Sequence, residues 1–267
     1  MRIVVCVKHV PDISSQRGFD SASRTVRTTE DSTLNEVDEN AVEAALQFAE
    51  AAEQGAEVIA LTMGPDIAVD AARRALQLGA GRGVHISDEA LAGADYTVTA
   101  RALAAAVRAE GSVDVVVTGM TALDGLGSVV PSLLAAELGW PQATVAREVE
   151  LRDGAVTATR DVDGVAETWR MDLPGLVSVT DVTNEPRLPR MKEMMAARSK
   201  PVRTLTAADL GLGADEVAGR TRVRSAEPRP AREPEIVMDD GTGGRRIAEY
   251  LFDHGLIEPS LLGGENR

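Results

Sequence analysis

The chain has 267 residues and a formal net charge of −14, from 28 basic and 42 acidic side chains. This acidic balance disfavours sequence-independent binding of nucleic acid or anionic lipid, and an aromatic content of 3% leaves few side chains for stacking on bases. A single cysteine, Cys6, excludes a disulfide within the chain and fits a reducing compartment. The start of the chain lacks a signal-peptide pattern, and no apolar run reaches the roughly 20 residues of a membrane span. We therefore expect a cytoplasmic protein that does not insert into a membrane.

The first half of the chain alternates apolar strands with amphipathic helices. Residues 2–8 are β-branched and apolar, which is typical of a buried strand, and the polar stretch 12–35 is long enough to be a functional loop. Asn35 before an acidic first turn predicts a helix start, and Gly55 predicts its end. Further strands are predicted at 58–61, 84–86 and 113–118, and further helices at 67–78, 96–110 and 133–138. This order predicts an α/β fold, a parallel sheet with helices on both faces.

The pattern changes after Gln142. Alternating apolar residues from Val145, with Asp153-Gly154 and Asp163-Gly164 as turns, predict an antiparallel β meander, followed by an apolar strand at 176–179. Beyond Thr183 the chain is basic and rich in proline and methionine, and a last helix is predicted at about 243–254. We predict an α/β domain over 1–183 and a recognition loop and C-terminal arm over 184–267. The arm should pack on another chain, because a long segment without its own core is hard to stabilise.

Three glycine-rich segments are candidates for a phosphate-binding loop. Residues 79–83 have the glycine spacing of a dinucleotide fingerprint, but they follow a helix and precede a strand, which is the reverse of the required order. Residues 241–244 precede a helix without a strand before them, which favours a hinge or cap. Residues 119–128 follow a buried strand and open a helix, where Ser128 can cap the helix and an anion is favoured. The segment has no lysine, so it is not an ATPase-type loop, and spacing alone leaves anion binding and a plain strand–helix turn open.

Catalytic constellations are missing from the sequence. The three histidines, His9, His85 and His254, are scattered, and no cluster has metal-ligand spacing. There is no Gly-x-Ser-x-Gly elbow, and Cys6 in a buried strand is best interpreted as core packing. We therefore expect no metal site and no catalytic residues.

Several motifs resemble one known family. Residues 158–164, Glu167 and residues 174–178 resemble the signature of electron transfer flavoprotein beta subunits, with Val165 and Trp169 as departures from it. Similar motifs occur elsewhere in the chain: 4–9, 34–35, 62–65, 78–83, 139–142, 184–187 and 209–211. The resemblance covers most of the chain.

The resemblance implies a Rossmann-like, adenine-nucleotide-binding fold that buries one AMP for structural reasons. A larger alpha subunit would hold most of the FAD. The heterodimer would take electrons from acyl-CoA and related dehydrogenases, as in fatty acid β-oxidation, and pass them to a membrane-bound quinone oxidoreductase. By position, the resemblance implies that the AMP pocket contains the following residues: Cys6, Asn35, Glu36, Val37, Asp38, Met63, Gly119, Met120, Thr121, Ala122, Leu123, Asp124, Gly125, Leu126, Gly127, Ser128, Val129 and Val130.

Some positions depart from the family pattern. Residues 128–130 are Ser-Val-Val where relatives often have Asn-Gln-Thr or Thr-Ala-Gln, so fewer side chains can donate to a phosphate. The Thr-Ala-Gln type accompanies a second FAD in electron-bifurcating relatives, and its absence favours AMP. Ile13 falls where relatives place a residue against the flavin.

The resemblance also implies a docking loop. Met191 aligns with the tip of the loop that recognises dehydrogenases, flanked by Arg190 and by Lys192, which replaces the usual proline. An apolar residue at the tip of a loop, flanked by charged residues, is suited to transient docking on a partner protein. In the alternative interpretation, Met191, Met194 and Met195 form one packed face of a short helix.

Three other functions are compatible with parts of the sequence. The first is an electron-bifurcating relative with a second FAD in the AMP pocket. The second is a stand-alone nucleotide-binding stress or signalling domain on the same fold, which the arm after residue 183 disfavours. The third is a hydrolase or transferase of adenine nucleotides, which would need a base or metal ligand near Asp124.

Overall fold

The computed structural model describes residues 1–257 with the exception of 16, 17, 23, 29, 31, 53, 54, 226–229, 231–235 and 237. The chain forms two compact units, Met1–Ala226 and Glu227–Arg267. The described strands are β1 (Arg2–Cys6), β2 (His9–Pro11), β3 (Ser32–Leu34), β4 (Glu57–Met63), β5 (Arg82–Ile86), β6 (Val115–Gly119), β7 (Gln142–Ala146), β8 (Glu148–Arg152), β9 (Ala155–Val162), β10 (Val165–Asp172), β11 (Gly175–Val179) and β12 (Val202–Leu205). The described helices are α1 (Glu36–Ala51), α2 (Val69–Leu78), α3 (Tyr96–Ala109), α4 (Val130–Leu138), α5 (Met191–Ala197), α6 (Ala214–Val217) and α7 (Gly243–Asp253).

The first unit is built on a seven-stranded sheet with the order β12-β5-β4-β1-β6-β11-β7, in which all neighbours are parallel. Successive side chains of a strand point to opposite faces. Ile3 and Val5 of β1 therefore pack in the core beneath α1 and α2, whereas Val4 packs in a second core with residues of α3 and α4. The predicted α/β fold, a parallel sheet covered on both faces, is confirmed.

The predicted antiparallel meander is also confirmed, with a different start. Strands β8, β9 and β10 form a separate antiparallel sheet whose turns are Asp153-Gly154 and Asp163-Gly164, all with positive φ. Strand β7 instead joins the parallel sheet beside β11. The pairing shifts near Val145, which has a φ of 59° and donates its N–H to Ser178 Oγ at 2.8 Å. This kink lets the chain leave one sheet and enter the other.

Residues 184–226 differ from the expected arm. Strand β12 pairs with β5 as an edge strand, and α5 packs against α2. Arg187 contacts Glu43 of α1, with 2.6 Å between Nε and Oε2, and Asn40 Nδ2 donates to Asn184 O at 2.8 Å. This part of the chain thus belongs to the first unit rather than to a coreless arm. The packing of residues 184–267 on a partner subunit stays a prediction.

In the second unit, the predicted terminal helix is present as α7. Asp239 Oδ1 accepts hydrogen bonds from Gly241 N and Gly243 N at 2.8 Å, which fixes the glycine-rich turn before the helix. Tyr250 and His254 stack on this helix. Within the described part of the chain, no helix combines the length and apolar character required to cross a membrane.

Candidate functional site

A cavity of about 1520 Å³ opens at the carboxyl ends of the central strands in the first unit. Open parallel sheets bind ligands at this edge, because the strand-to-helix loops converge there. The cavity is lined by residues at or just after the ends of four neighbouring strands: Cys6 and Lys8 after β1, Met63 and Gly64 after β4, Ile86 and Ser87 after β5, and Gly119 and Met120 after β6.

Most of the predicted AMP-binding residues meet in this cavity. Those that line it are Cys6, Asp38, Met63, Gly119, Met120, Thr121, Ala122, Asp124, Gly125, Gly127, Ser128 and Val130. Six others lie outside its lining: Asn35, Glu36, Val37, Leu123, Leu126 and Val129. The assignment of any of these residues to a nucleotide stays a prediction.

Asn35 fixes the loop over residues 119–130 rather than the helix that follows it. Its Nδ2 donates to Thr121 O at 2.9 Å, and its Oδ1 accepts the Leu123 N–H at 2.9 Å. Helix α1 does begin directly after Asn35, but no side-chain capping bond is made there. Asn35 is the N-cap residue of α1, as predicted, but its side chain makes no capping bond because it is engaged by a loop 86 residues away.

Gly119 allows the end of β6 to approach the start of α1. A Cβ atom built on Gly119 would lie 3.1 Å from Val37 O and still closer to Asp38 Oδ1. Any larger side chain would therefore push β6 away from α1. This glycine is required for close approach, whereas its neighbour in the loop, Gly125, has room for a Cβ.

Asp38 is a buried carboxylate at the floor of the cavity, with 6% of the residue exposed. Its Oδ2 accepts the Lys8 N–H at 2.8 Å. Burial raises the pKa of Asp38 to about 7, although its hydrogen bonds with Asn35, Lys8 and Gly119 oppose the shift. Burial, and then the nearby Asp38 charge, raises the pKa of the Cys6 thiol to about 12. Cys6 is thus a protonated thiol at neutral pH, as expected for a packing residue rather than a nucleophile.

Helix α4 begins at the rim of the cavity without a side-chain cap. Its N-cap is Val129, and Ser128, with a φ of 52°, makes no capping bond. The expected Ser128 cap is wrong, because the helix starts at Val130 and Ser128 lies one residue too early. Uncapped amides at a helix N-terminus favour an anion. Leu126 also has a positive φ, 49°, and such strain in residues other than glycine persists where surrounding structure or a ligand holds it.

Two buried hydroxyl groups in the cavity lining have no hydrogen-bond partner among the described residues. They are Thr118 Oγ1 and Thr121 Oγ1. Buried polar atoms are almost always paired, so a polar ligand that reached these two hydroxyl groups would supply the partners that they lack among the described residues.

The carboxylate of Asp124 is fully engaged. Its Oδ1 lies 2.7 Å from Lys8 Nζ, and its Oδ2 lies 3.6 Å from Arg27 Nη2. Two cationic side chains therefore hold this carboxylate. No group of three or more His, Cys, Asp or Glu side chains that could hold a metal ion occurs in the described ranges.

The other predicted residues lie apart from the cavity lining. Ile13 is 64% exposed. Arg190 and Lys192 are exposed, and Met191, 73% exposed, opens α5. A small cavity of about 320 Å³ beside α2 is lined by Met191, Met194 and Met195 among others. The flavin-proximal and docking roles stay predictions.

Part of the lining of the large cavity was not predicted from the sequence. Its lining also includes residues within 19–27, 87–96 and 219–223. Asp95 before Tyr96 is a recognisable helix N-cap that could have marked one of these walls. Nothing in the sequence of 219–223 indicates a place beside the sheet.

Comparison with known proteins identifies the family. The model of the electron transfer flavoprotein domain matches residues 24–210. The electron transfer flavoprotein subunit beta of Mycobacterium bovis is 40% identical over 264 residues, covering 96% of this chain and 99% of that protein. The corresponding subunit of Mycobacterium leprae is 39% identical, and the match covers 96% of this chain and 99% of that protein. The caffeyl-CoA reductase-Etf complex subunit CarD of Acetobacterium woodii is 34% identical, and the match covers 79% of this chain and 80% of that protein. The chain therefore belongs to the electron transfer flavoprotein family and is similar to its beta subunits over nearly its whole length.

Proposed function

We propose that the chain holds one AMP in the large cavity as a structural ligand and works with an alpha-type subunit as an electron carrier. The observation that carries the AMP proposal is the cavity wall itself. It combines an uncapped helix N-terminus at α4 with the unpaired hydroxyls of Thr118 and Thr121. A nucleotide monophosphate supplies both the anion and the polar atoms that such a wall requires.

The residues that line the cavity fit AMP. The first amides of α4 and the backbone of the loop 119–130 would hold the phosphate, because few side chains there can donate. The hydroxyls of Thr118 and Thr121 would pair with polar atoms of the ligand. Bound AMP would supply no redox chemistry; it would fill the cavity and tie the loop to the sheet.

The electron-carrying role depends on a partner. We expect an alpha subunit to hold most of the FAD, with Ile13 near the flavin. Acyl-CoA dehydrogenases would deliver electrons, and a membrane quinone oxidoreductase would accept them. The protonated Cys6 thiol and the ion-paired Asp124 support a subunit without catalytic residues of its own. A cytoplasmic location is part of the proposal.

A second candidate is a subunit that carries a second FAD in the same cavity. Two observations favour it: one relative belongs to a caffeyl-CoA reductase-Etf complex, and the cavity, about 1520 Å³, exceeds the roughly 300–1,000 Å³ of ordinary ligand pockets. The Ser-Val-Val run at 128–130 favours AMP.

The bound nucleotides distinguish the two candidates. The chain is co-expressed with an alpha-type subunit, the complex is purified and denatured, and the released molecules are quantified by chromatography and mass spectrometry. We expect one AMP and one FAD per heterodimer, and a colourless product when this chain is expressed alone. Two FAD without AMP would establish the second candidate, and a complex without adenine nucleotide in this subunit would refute both.

Met191→Ala tests the proposed docking loop. A residue that is 73% exposed contributes little to folding, so thermal stability and nucleotide content should not change. If Met191 fills a pocket on the dehydrogenase, its loss should weaken docking by about 1–3 kcal/mol. The measurement is the apparent affinity of the heterodimer for an acyl-CoA dehydrogenase in steady-state flavin reduction. Lower stability with unchanged affinity would instead identify Met191 as a packing residue of α5.

A further inference from the structure

The outer wall of the large cavity includes residues 219–223, which we call the strap. Gly219, Thr221, Arg222 and Val223 line the cavity. The strap has no helical or strand structure, and it follows the glycine-rich loop by about a hundred residues in the sequence. Its position therefore depends on contacts with the rest of the unit rather than on a backbone ladder.

One carboxylate makes most of these contacts. Asp95 Oδ2 accepts hydrogen bonds from Arg220 N at 2.7 Å, Thr221 N at 3.0 Å and Thr221 Oγ1 at 3.2 Å. Its other oxygen, Oδ1, accepts Val98 N at 3.0 Å and caps α3. Although burial opposes ionisation, the hydrogen bond from Thr97 Oγ1 to Oδ1, together with those from Val98 and the strap, holds the pKa of Asp95 well below its usual range, so the carboxylate stays charged at any working pH.

The same turn of α3 also touches the glycine-rich loop. Tyr96 follows Asp95, and its ring lies against Gly127, where an added Cβ would come within 3.0 Å of Cε1. Tyr96 itself lines the cavity. The first turn of α3 thus stands between the strap and the loop 119–130, and Asp95 fixes the strap relative to the loop.

Arg222 is one of the cationic side chains that line the cavity. Four cationic side chains line the cavity, and three of them are ion-paired: Lys8 and Arg27 with Asp124, and Arg24 with Glu89. Arg222 makes no ion pair or side-chain hydrogen bond with any residue that the structure describes. It follows directly after the two residues that Asp95 fixes. An unpaired guanidinium at a cavity wall is suited to a phosphate, which it can bind through paired hydrogen bonds.

We propose that Arg222 binds the phosphate of the nucleotide and that Asp95 is a positioning residue that holds the strap so that Arg222 reaches it. The proposal rests on the proposed nucleotide binding and extends it: residues 128–130 offer few side-chain donors, and the strap supplies the missing cation. Arg222 would also make nucleotide affinity sensitive to salt, because its charge lies at the exposed mouth of the cavity.

The test of Arg222 is the affinity of the heterodimer for AMP. The complex is stripped of nucleotide, and AMP binding is measured by calorimetry with thermal stability in parallel. Loss of a charge-assisted contact should weaken binding about tenfold or more in Arg222→Gln, with unchanged stability. Arg222→Lys should recover part of the loss. The matched control is Arg224→Gln, because Arg224 is exposed two residues further on and does not line the cavity.

The test of Asp95 uses Asp95→Asn. Asparagine remains a good helix cap, so α3 is retained, but its amide NH₂ cannot accept the strap N–H groups. AMP binding should weaken by a factor similar to that of Arg222→Gln. If Asp95 acts through Arg222, the double variant should bind AMP no more weakly than either single variant. Thr221→Val, which removes one strap contact and leaves the cap intact, should have a smaller effect and serves if Asp95→Asn is unstable.

The outcomes separate this proposal from the one on which it rests. If the wild-type complex contains and rebinds AMP but Arg222→Gln binds it equally well, the strap proposal is overturned and the nucleotide site stands. Fully additive losses in Asp95→Asn and Arg222→Gln would overturn the positioning role of Asp95. If the wild-type complex neither contains nor binds an adenine nucleotide, both proposals fail together.

Discussion

Leu134→Ala should lower the free energy of unfolding by about 2–5 kcal/mol, the usual range for emptying a fully buried leucine site. Leu134 lies on α4 with no exposed surface, in the core between α3 and the sheet, and it also lines the cavity. The space left by the side chain lies beneath the first turn of α4. We therefore expect AMP to be released faster as well, because the helix N-terminus would lose its support.

The control for this prediction is Leu133→Ala. It makes the same substitution on the same helix at a partly exposed position, so it changes helix propensity equally and empties less of the core. Denaturant unfolding of both variants gives the comparison. Equal losses of stability in the two variants would contradict the assigned role of Leu134, since a difference in burial must appear as a difference in free energy.

Asp38→Asn should remove a pH-dependent cost of folding. The pKa of Asp38 is about 7 in the folded protein against an ordinary value of 3.8, so the folded state binds this proton more tightly than the unfolded state does. The contribution of Asp38 to stability is therefore most favourable below about pH 4, decreases as the pH rises, and is constant above about pH 7. At 1.36 kcal/mol per unit, the full cost of ionisation is about 4 kcal/mol. Between pH 5 and pH 8 the wild type should lose most of this amount.

The measurement is the difference in unfolding free energy between Asp38→Asn and the wild type across this pH range. Taking the difference cancels the contributions of His9 and His85 to the pH dependence, because both histidines titrate in both proteins. The pKa values of these histidines are lowered, mainly by burial. The difference should increase in favour of the variant as the pH rises. Glu36→Gln is the matched control, because Glu36 is exposed on the same first turn of α1. A difference that does not change with pH would show that Asp38 is not protonated on folding.

The sequence was sufficient to predict the parts of the molecule that depend on local pattern. Near-continuous apolar strands alternating with helices predicted the parallel sheet, and the aspartate–glycine turns predicted the meander. The strand–glycine–helix order at 119–130 predicted a loop at the carboxyl edge of the sheet, where the large cavity opens. These features follow from contacts close in sequence and from the periodicity of side chains, which a single sequence displays directly.

Other features were decided only by tertiary structure. Strand β12 is four residues long and half exposed, so its place beside β5 depends on a neighbour 119 residues away rather than on its own pattern. Asn35 has the sequence context of a helix cap, yet its side chain binds Thr121 and Leu123, because those partners satisfy both ends of a buried amide. The sequence of the strap, residues 219–223, has no helix or strand periodicity, and its position is fixed by hydrogen bonds to Asp95. The periodicity of side chains determines which residues form a helix or a strand. The role of each polar side chain is determined by hydrogen bonds between groups that are distant in the chain. The sequence does not reveal which groups form those pairs.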